Sequence, residues 1–600
     1  MKNFKVLFPV FLLLFSCITG SGFSQFLNPV HNQPVIPDVM GYVNILETSG
    51  NDNYNTVYNL DSFPLFSGFP KTLSGTTFEG GILCNMDGDN DLEIVFNIGF
   101  TVQAWNYDGS SVSGWPQTVA TYGLEGAPAF GDIDGDGIEE IVVTNHGLTS
   151  GGFIYAYRKN GTLVPNFPIN HGYSSRTPVL ANMDNAGGLE IIVNKRLSGS
   201  GEVWIYRGNA TTFPGWPKTL NHVPASSAAV GDITGDAFPE VVMESYSGLF
   251  AWGADGNPLT GFPYLMPNSD VNSYSSPVLA DVDGDNVREI IFGTHVLGGG
   301  GYVYILKNNG TVLSGWPKPT TQWIYGPPAV GYIDGDNLID IAVGDQVISG
   351  TPIDQLYAWN KNGDPLAGFP VPQLNAINNQ ITIADIDNDN SMELICDDNT
   401  QTGGRGKYLA FNHDGTPVAG WDVNTSGATF FTTPMLGDVN RDGILDIAGA
   451  GCVTTSPTSA NIYLWNTGSP FTANKVIIPM WQYNSRHNGV YGDNPLVGVV
   501  PVSNNIPESF ELKQNYPNPF NPVTKIRFSV PSGNSGSAGM LVKLSVYDIT
   551  GKLTSVLLNS VLEAGEYETE FNASQLSSGI YFYELNAGGL KLTNKMVLVK

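Results

Sequence analysis

The chain has 600 residues, with 55 Asp and Glu against 27 Lys and Arg, for a formal charge of −28. That balance excludes a nucleic-acid partner, which is bound through clustered bases. Four cysteines are too few for a disulfide framework, and no convincing helical period occurs beyond the N-terminus.

At the N-terminus, Lys2 and Lys5 precede an apolar run from Val6 to Phe15. Gly22 and Ser24 stand at −3 and −1 before Gln25, which predicts a secretory signal over residues 1–24. A competing reading makes Leu14-Phe15-Ser16-Cys17 a lipoprotein box with Cys17 acylated. Residues 25–59 read as a lead-in. No later segment reaches the ~20 apolar residues of a membrane-spanning helix, so the protein is expected to be secreted or on the outer cell surface.

From residue 60 to 493 one acidic nonapeptide recurs eight times. Its second copy is Asp132-Ile133-Asp134-Gly135-Asp136-Gly137-Ile138-Glu139-Glu140. Side-chain oxygens at positions 1, 3, 5 and 9 with a carbonyl at position 7 (Ile138) are the hard donors calcium takes, six to eight at a time. A β-branched run follows the closing acid, so the loop leads into a strand and not into an EF-hand helix. The first copy offers Asn85, Asp87, Asp89, Asp91 and Glu93. The fifth offers Asp281, Asp283, Asp285 and Glu289, and the seventh Asp385, Asp387, Asp389 and Glu393. With the second copy these are complete. The third has Asn182, Asp184 and Glu190 but Ala186 at position 5. The fourth has Asp232, Asp236 and Glu240 with Thr234 at position 3. The sixth keeps Asp334, Asp336 and Asp340 behind Tyr332, and the eighth has Asp438, Asn440, Asp442 and Asp446. Up to eight Ca2+ ions are expected; eight would cut the formal charge from −28 to about −12.

Around each loop the order repeats: a small-residue strand, the loop, a β-branched strand, a glycine-rich link and an alternating aromatic strand. Most units then carry Gly-Trp-Pro or Gly-Phe-Pro, as at Gly114-Trp115-Pro116 and Gly368-Phe369-Pro370. Four short strands per ~50 residues predict an all-β chain folded as an eight-bladed β-propeller, with seven blades as the alternative. The signature aromatics read as blade packing. Asp132 to Val142 resembles the FG-GAP or VCBS repeat, related to the calcium-bearing blades of integrin α subunits. That resemblance implies the propeller and the metal, and says little about the ligand.

A Pro-, Val- and Asn-rich linker is expected over 494–511, and a repeat-free module over 512–600. Asn515-Tyr516-Pro517-Asn518-Pro519-Phe520, Val546-Tyr547-Asp548-Ile549-Thr550-Gly551-Lys552 and Ser578-Gly579-Ile580-Tyr581 carry the next resemblance. They are similar to the type A sorting domain of the type IX secretion system. It implies a small immunoglobulin-like β-sandwich, partnership with that machinery, and often removal after export.

Cys84, Cys396 and Cys452 read as buried thiols, leaving calcium as the staple. The seven histidines show no metal-ligand spacing, and no nucleophile elbow or phosphate loop occurs, so no enzyme is expected. Links on the face away from the loops hold scarce bases and an unrepeated Trp. His171, Arg176, Lys195, Arg196, Trp323 and Arg405 are therefore a candidate anion-tolerant glycan site. The expected function is an extracellular binding or adhesion module for a glycan or protein. Some polysaccharide lyases resemble this chain as calcium-bearing propellers, so a carbohydrate-active enzyme is one alternative and a purely structural surface protein another.

Overall fold

The computed structural model describes residues 63–493 and 500–600, apart from 90, 125, 147–150, 175, 185–186, 225, 237, 268–269, 273, 286, 297–298, 337, 347–351, 390, 400–405, 430–431 and 454–456 in the repeats and 504–506, 508, 522, 532–539, 550–552, 563–564, 574–575 and 588–589 after them. The secretory signal and lead-in lie outside the described residues, as do Ala186 and Arg405. Among the described residues no helix is long and apolar enough to cross a membrane.

Each repeat folds as one antiparallel sheet. In the second, Ala129–Gly131, Glu140–His146, Gly152–Arg158 and Ile169–Asn170 pair in sequence order. The second strand is buried along its whole length, which is why its sequence is a continuous β-branched run without alternation. Seven sheets are built this way, the fifth with Asp270–Asn272 as an added strand. The eighth is different. It has Met435–Gly437, Ile444–Val453 and Ser459–Pro470, and its fourth strand is Lys71–Ser74 from the other end of the repeat region. First strands of neighbouring sheets pack side by side, and Gly81–Cys84 of the first sheet lies against both Ala129–Gly131 and Met435–Gly437. The series of sheets thus returns to its start.

The Gly-Trp-Pro signature latches one sheet to the next. Trp115, Trp216 and Trp316 are buried, and their indole N–H groups donate to Lys159 O, Ala254 O and Lys361 O in the following sheet's turn at 2.7, 3.2 and 3.1 Å. The glycine before each has φ of 88–92°, and a Cβ there would stand within 2.4 Å of a turn carbonyl (Asn160, Asp255, Asn362), so no other residue fits. The expected packing role of these aromatics is what is found. Cys84, Cys396 and Cys452 are free and buried, also as expected.

A strap not foreseen from the repeats runs from Ala473 to Asp493 over the inner strands. The middle residue of a first strand has its outward N–H free of its own sheet, and the strap accepts it. Phe130, Leu180, Val230 and Leu279 donate to the carbonyls of Ser485, Arg486, Asn488 and Gly489 at 2.8–2.9 Å. Leu436 donates to Pro479, and Val330 to the Tyr483 hydroxyl. Ile477 donates to Ile383 of the seventh sheet, and Met480 packs in the core shared with the first. Exposed strand edges invite foreign pairing; here the chain covers its own.

The C-terminal module has two four-stranded antiparallel sheets around a common apolar core that includes Phe520, Ile526, Phe528, Leu544 and Tyr583. Val500–Ser503 pairs with Gly565–Asn572. Part of the segment expected as linker, 494–511, is therefore an edge strand of this module.

Candidate functional site

All eight acidic nonapeptides join a first strand to a second, so they lie at one end of the sheets. The closing acid is the first residue of the second strand, except Asp446, which follows Ile444 and Leu445 within it. Its carboxylate turns back into the loop. One oxygen of Glu93, Glu140, Glu190, Glu240, Glu289, Asp340, Glu393 and Asp446 accepts the backbone N–H of loop position 2 at 2.5–3.1 Å. Burial pushes the first six up to about 7 and the last two to about 8. The second oxygen of Glu140, Asp340, Glu393 and Asp446 is buried with no hydrogen-bond partner. A buried carboxyl with one bare oxygen requires a proton or a cation.

The rest of the loop is arranged to match. Position 4 takes a left-handed φ of 56–88° in all seven described copies, held by Gly88, Gly135, Gly235, Gly284, Gly335, Asn388 and Arg441. Position-5 carboxylates cap the N–H two residues on, as Asp136 does for Ile138 at 2.9 Å and Asp389 for Ser391 at 2.7 Å. In five copies three acids bring oxygens within 4.8 Å of one another and could hold a metal ion. These are Asp87, Asp89 and Glu93; Asp132, Asp134 and Asp136; Asp281, Asp283 and Asp285; Asp334, Asp336 and Asp340; and Asp385, Asp387 and Glu393. The four complete copies are all among them. The sixth joins them despite Tyr332, whose ring turns to Tyr491. Among the described residues the third, fourth and eighth copies form no such cluster.

Bases approach some loops from the ends of third strands. Arg158 is 3.5 Å from Asp134, and Lys307 is 2.5 Å from Asp283. In the third copy, where position 5 is Ala186, Arg207 donates to Asp184 at 2.7 Å and supplies the positive charge itself. Lys475 of the strap holds Asp385 at 2.5 Å.

The opposite end of the sheets holds the candidate ligand residues. His171 is an interior residue: its ring nitrogens meet Tyr206 Oη at 3.2 Å and Asn194 O at 2.9 Å, and burial lowers it to about 4. Arg176 is also buried, 3.7 Å from Glu79 and 4.4 Å over the Tyr274 ring. Lys195 lies 4.0 Å from Glu202 and over Trp204; Arg196 lies over Tyr173. Trp323 is half-buried beside His295 at 4.8 Å between ring centres.

Sequence reasoning missed Glu79 and Glu244. The latter stands four residues after its closing acid. At the same place Asn97, Thr144 and Asn194 each donate to a carbonyl of the next link (Gly126, Arg176, Ser226) at 3.0–3.3 Å. Glu244 is fully buried, neither oxygen has a partner, and burial holds it well above the ordinary 4.5, with Arg176 opposing. A raised folded pKa gives stability that is full below pH ~4.5 and falls as pH rises towards the folded value, by roughly 1.4 kcal/mol per unit. Glu244→Gln, a permanent donor like Asn97, should therefore raise the melting temperature at pH 8 and add nothing at pH 4. Equal shifts at both pH values would contradict a protonated Glu244.

Comparison with known proteins adds a decisive element at the C-terminus. Residues 514–600 match the family model of the secretion system C-terminal sorting domain. Such a domain marks a protein for the type IX route to the cell surface or beyond. No curated protein matches the chain. Solved structures with a distant likeness include the biofilm matrix protein Bap1 of V. cholerae (13% identity, 72% of this chain and 93% of that one, TM-score 0.34). Others are the WD40 domain of SCAP from fission yeast (11%, 63% and 82%, 0.29) and GH43B of a Bacteroides ovatus xyloglucan PUL (11%, 88% and 92%, 0.20).

Proposed function

We propose that the chain is an exported eight-bladed β-propeller, stapled by calcium, that works as an extracellular binding module and not as an enzyme. Eight successive sheets, the first and last side by side and the eighth completed by Lys71–Ser74, support the ring. The observation that carries the metal reading is the buried closing acid: one oxygen tied to the loop, the other bare in Glu140, Asp340 and Glu393, each beside further carboxylates. An all-oxygen donor set from carboxylates and carbonyls suits calcium and not zinc or copper. The FG-GAP or VCBS resemblance agrees. Calcium would bind the five clustered loops, while Arg207 replaces it in the third.

Metal content of the purified chain tests this reading: about five calcium ions per molecule are expected, and Asp134→Ala and Asp283→Ala should each lose one. A content near zero in calcium-containing buffer would overturn it. Export is tested separately. Deleting residues 514–600 should leave a folded propeller in the periplasm, since the module has its own core. Normal amounts of truncated protein at the surface would remove the sorting role.

A further inference from the structure

On the face away from the acidic loops, side-chain rings from the fourth and fifth sheets and three links form an unbroken arc. His222 lies 5.0 Å from Tyr246, Tyr246 6.1 Å from His295, and His295 4.8 Å from Trp323, between ring centres. Trp323 is 6.2 Å from Tyr325, which stacks on Tyr274 at 5.0 Å and 14°. His222, Tyr246, Tyr274 and Trp323 are half-buried, so part of the arc reaches solvent. These aromatics are not the signature tryptophans; the His295–Trp323 pair has a smaller counterpart in the second sheet, where His146 stacks on Tyr173 at 4.1 Å.

Under the arc the polar groups are incomplete. His295 is 1% exposed, yet neither ring nitrogen has a hydrogen-bond partner, and burial lowers it to about 4. A neutral imidazole presents one donor and one acceptor. Gln346, whose backbone pairs with Trp323, has a buried side-chain carbonyl that is likewise unpartnered. Buried polar atoms of this kind are costly unless something completes them.

We propose that this arc is a carbohydrate-binding shelf for neutral polysaccharide. This rests on the binding-module reading and specifies its ligand. Sugar rings present C–H faces that lie on aromatic rings, and hydroxyl edges that both donate and accept. A hydroxyl reaching past the Trp323 edge would complete His295, and a second would donate to Gln346. An anionic polymer is disfavoured because the bases of this face are already engaged, Arg176 by Glu79 and Lys195 by Glu202, in a chain of charge −28.

The test is native electrophoresis of the full chain through gels containing xylan, laminarin or polygalacturonate. Retardation by a neutral polymer is expected, weakened about tenfold by Trp323→Ala and by His295→Leu, the energy of one stacking or hydrogen-bond anchor. His295→Leu keeps an apolar body in place, and melting in calcium verifies that each variant folds. Undiminished binding by both folded variants would overturn the shelf while sparing the binding-module reading. Retardation by polygalacturonate alone would overturn the neutral assignment. No retardation in any gel would overturn the shelf, and calcium content and surface display would then judge the wider reading by themselves.

Discussion

Stripping calcium from the folded chain with a chelator should lower its melting temperature by roughly 10 °C. Extracellular calcium sites have Kd near ~10⁻⁴ M, so at about 1 mM each adds roughly 1.4 kcal/mol by mass action. Five clustered loops give about 7 kcal/mol, and a domain of this size converts that to roughly 10 °C. The loss should be cooperative, because each loop fixes the junction of two strands and its sheet is latched to the next. Single substitutions such as Asp134→Ala or Asp283→Ala should cost about a fifth of the total. Lys307 and Lys475 already stand 2.5 Å from loop carboxylates, so high salt should not mimic calcium. A melting curve that ignores chelator would end the metal reading for every loop.

What the sequence disclosed and what it hid follow from one cause. Features imposed on every repeat were legible, because eight copies separate a requirement from an accident. The closing acid and the signature tryptophan both came through this way. Asp340 held its cluster even behind Tyr332, since positions 3, 5 and 9 suffice there without position 1, as they also do in Asp87, Asp89 and Glu93. Features built once were not legible. Glu244 breaks a column of Asn97, Thr144 and Asn194, but the donor role of that column appears only when the links are in place. The origin of the eighth sheet's last strand had a signal that went unused. Gly68-Phe69-Pro70 precedes Lys71–Ser74 just as Gly114-Trp115-Pro116 precedes Gln117–Thr118, although no loop comes before it. The residues named as a ligand face do lie away from the acidic loops, yet His171 and Arg176 are interior residues there. Charge scarcity identifies where bases lie and not whether they are already paired.

Removing the strap should cost the fold more than removing any loop. Deleting residues 473–493 would leave the middle N–H of the first strands in sheets two to six and eight without an acceptor and expose the inner edge of each sheet. Buried unpaired donors cost about 1–3 kcal/mol each, so six would cost roughly 6–18 kcal/mol, comparable to the whole stability of a typical domain. The deletion variant should be protease-sensitive and lack a cooperative melting transition even in calcium. Graded substitutions separate this from a gross truncation effect. Tyr483→Phe strands only the Val330 N–H and should cost about 1–3 kcal/mol. His487→Ala should cost about 3 kcal/mol, since its buried ring joins Trp481 O to Pro128 O, both at 2.9 Å, and its loss leaves a cavity. The bonds of the two side chains go to Val330, Trp481 and Pro128 and to no loop acid, so calcium content should stay unchanged while the melting point falls. A deletion variant that melts cooperatively at the intact temperature would show that the sheets hold themselves together and that the strap merely rests on them. The strap and the partner of Lys71–Ser74 both come from the last part of the repeat region, so loss of that part should affect the first sheets as well as the last.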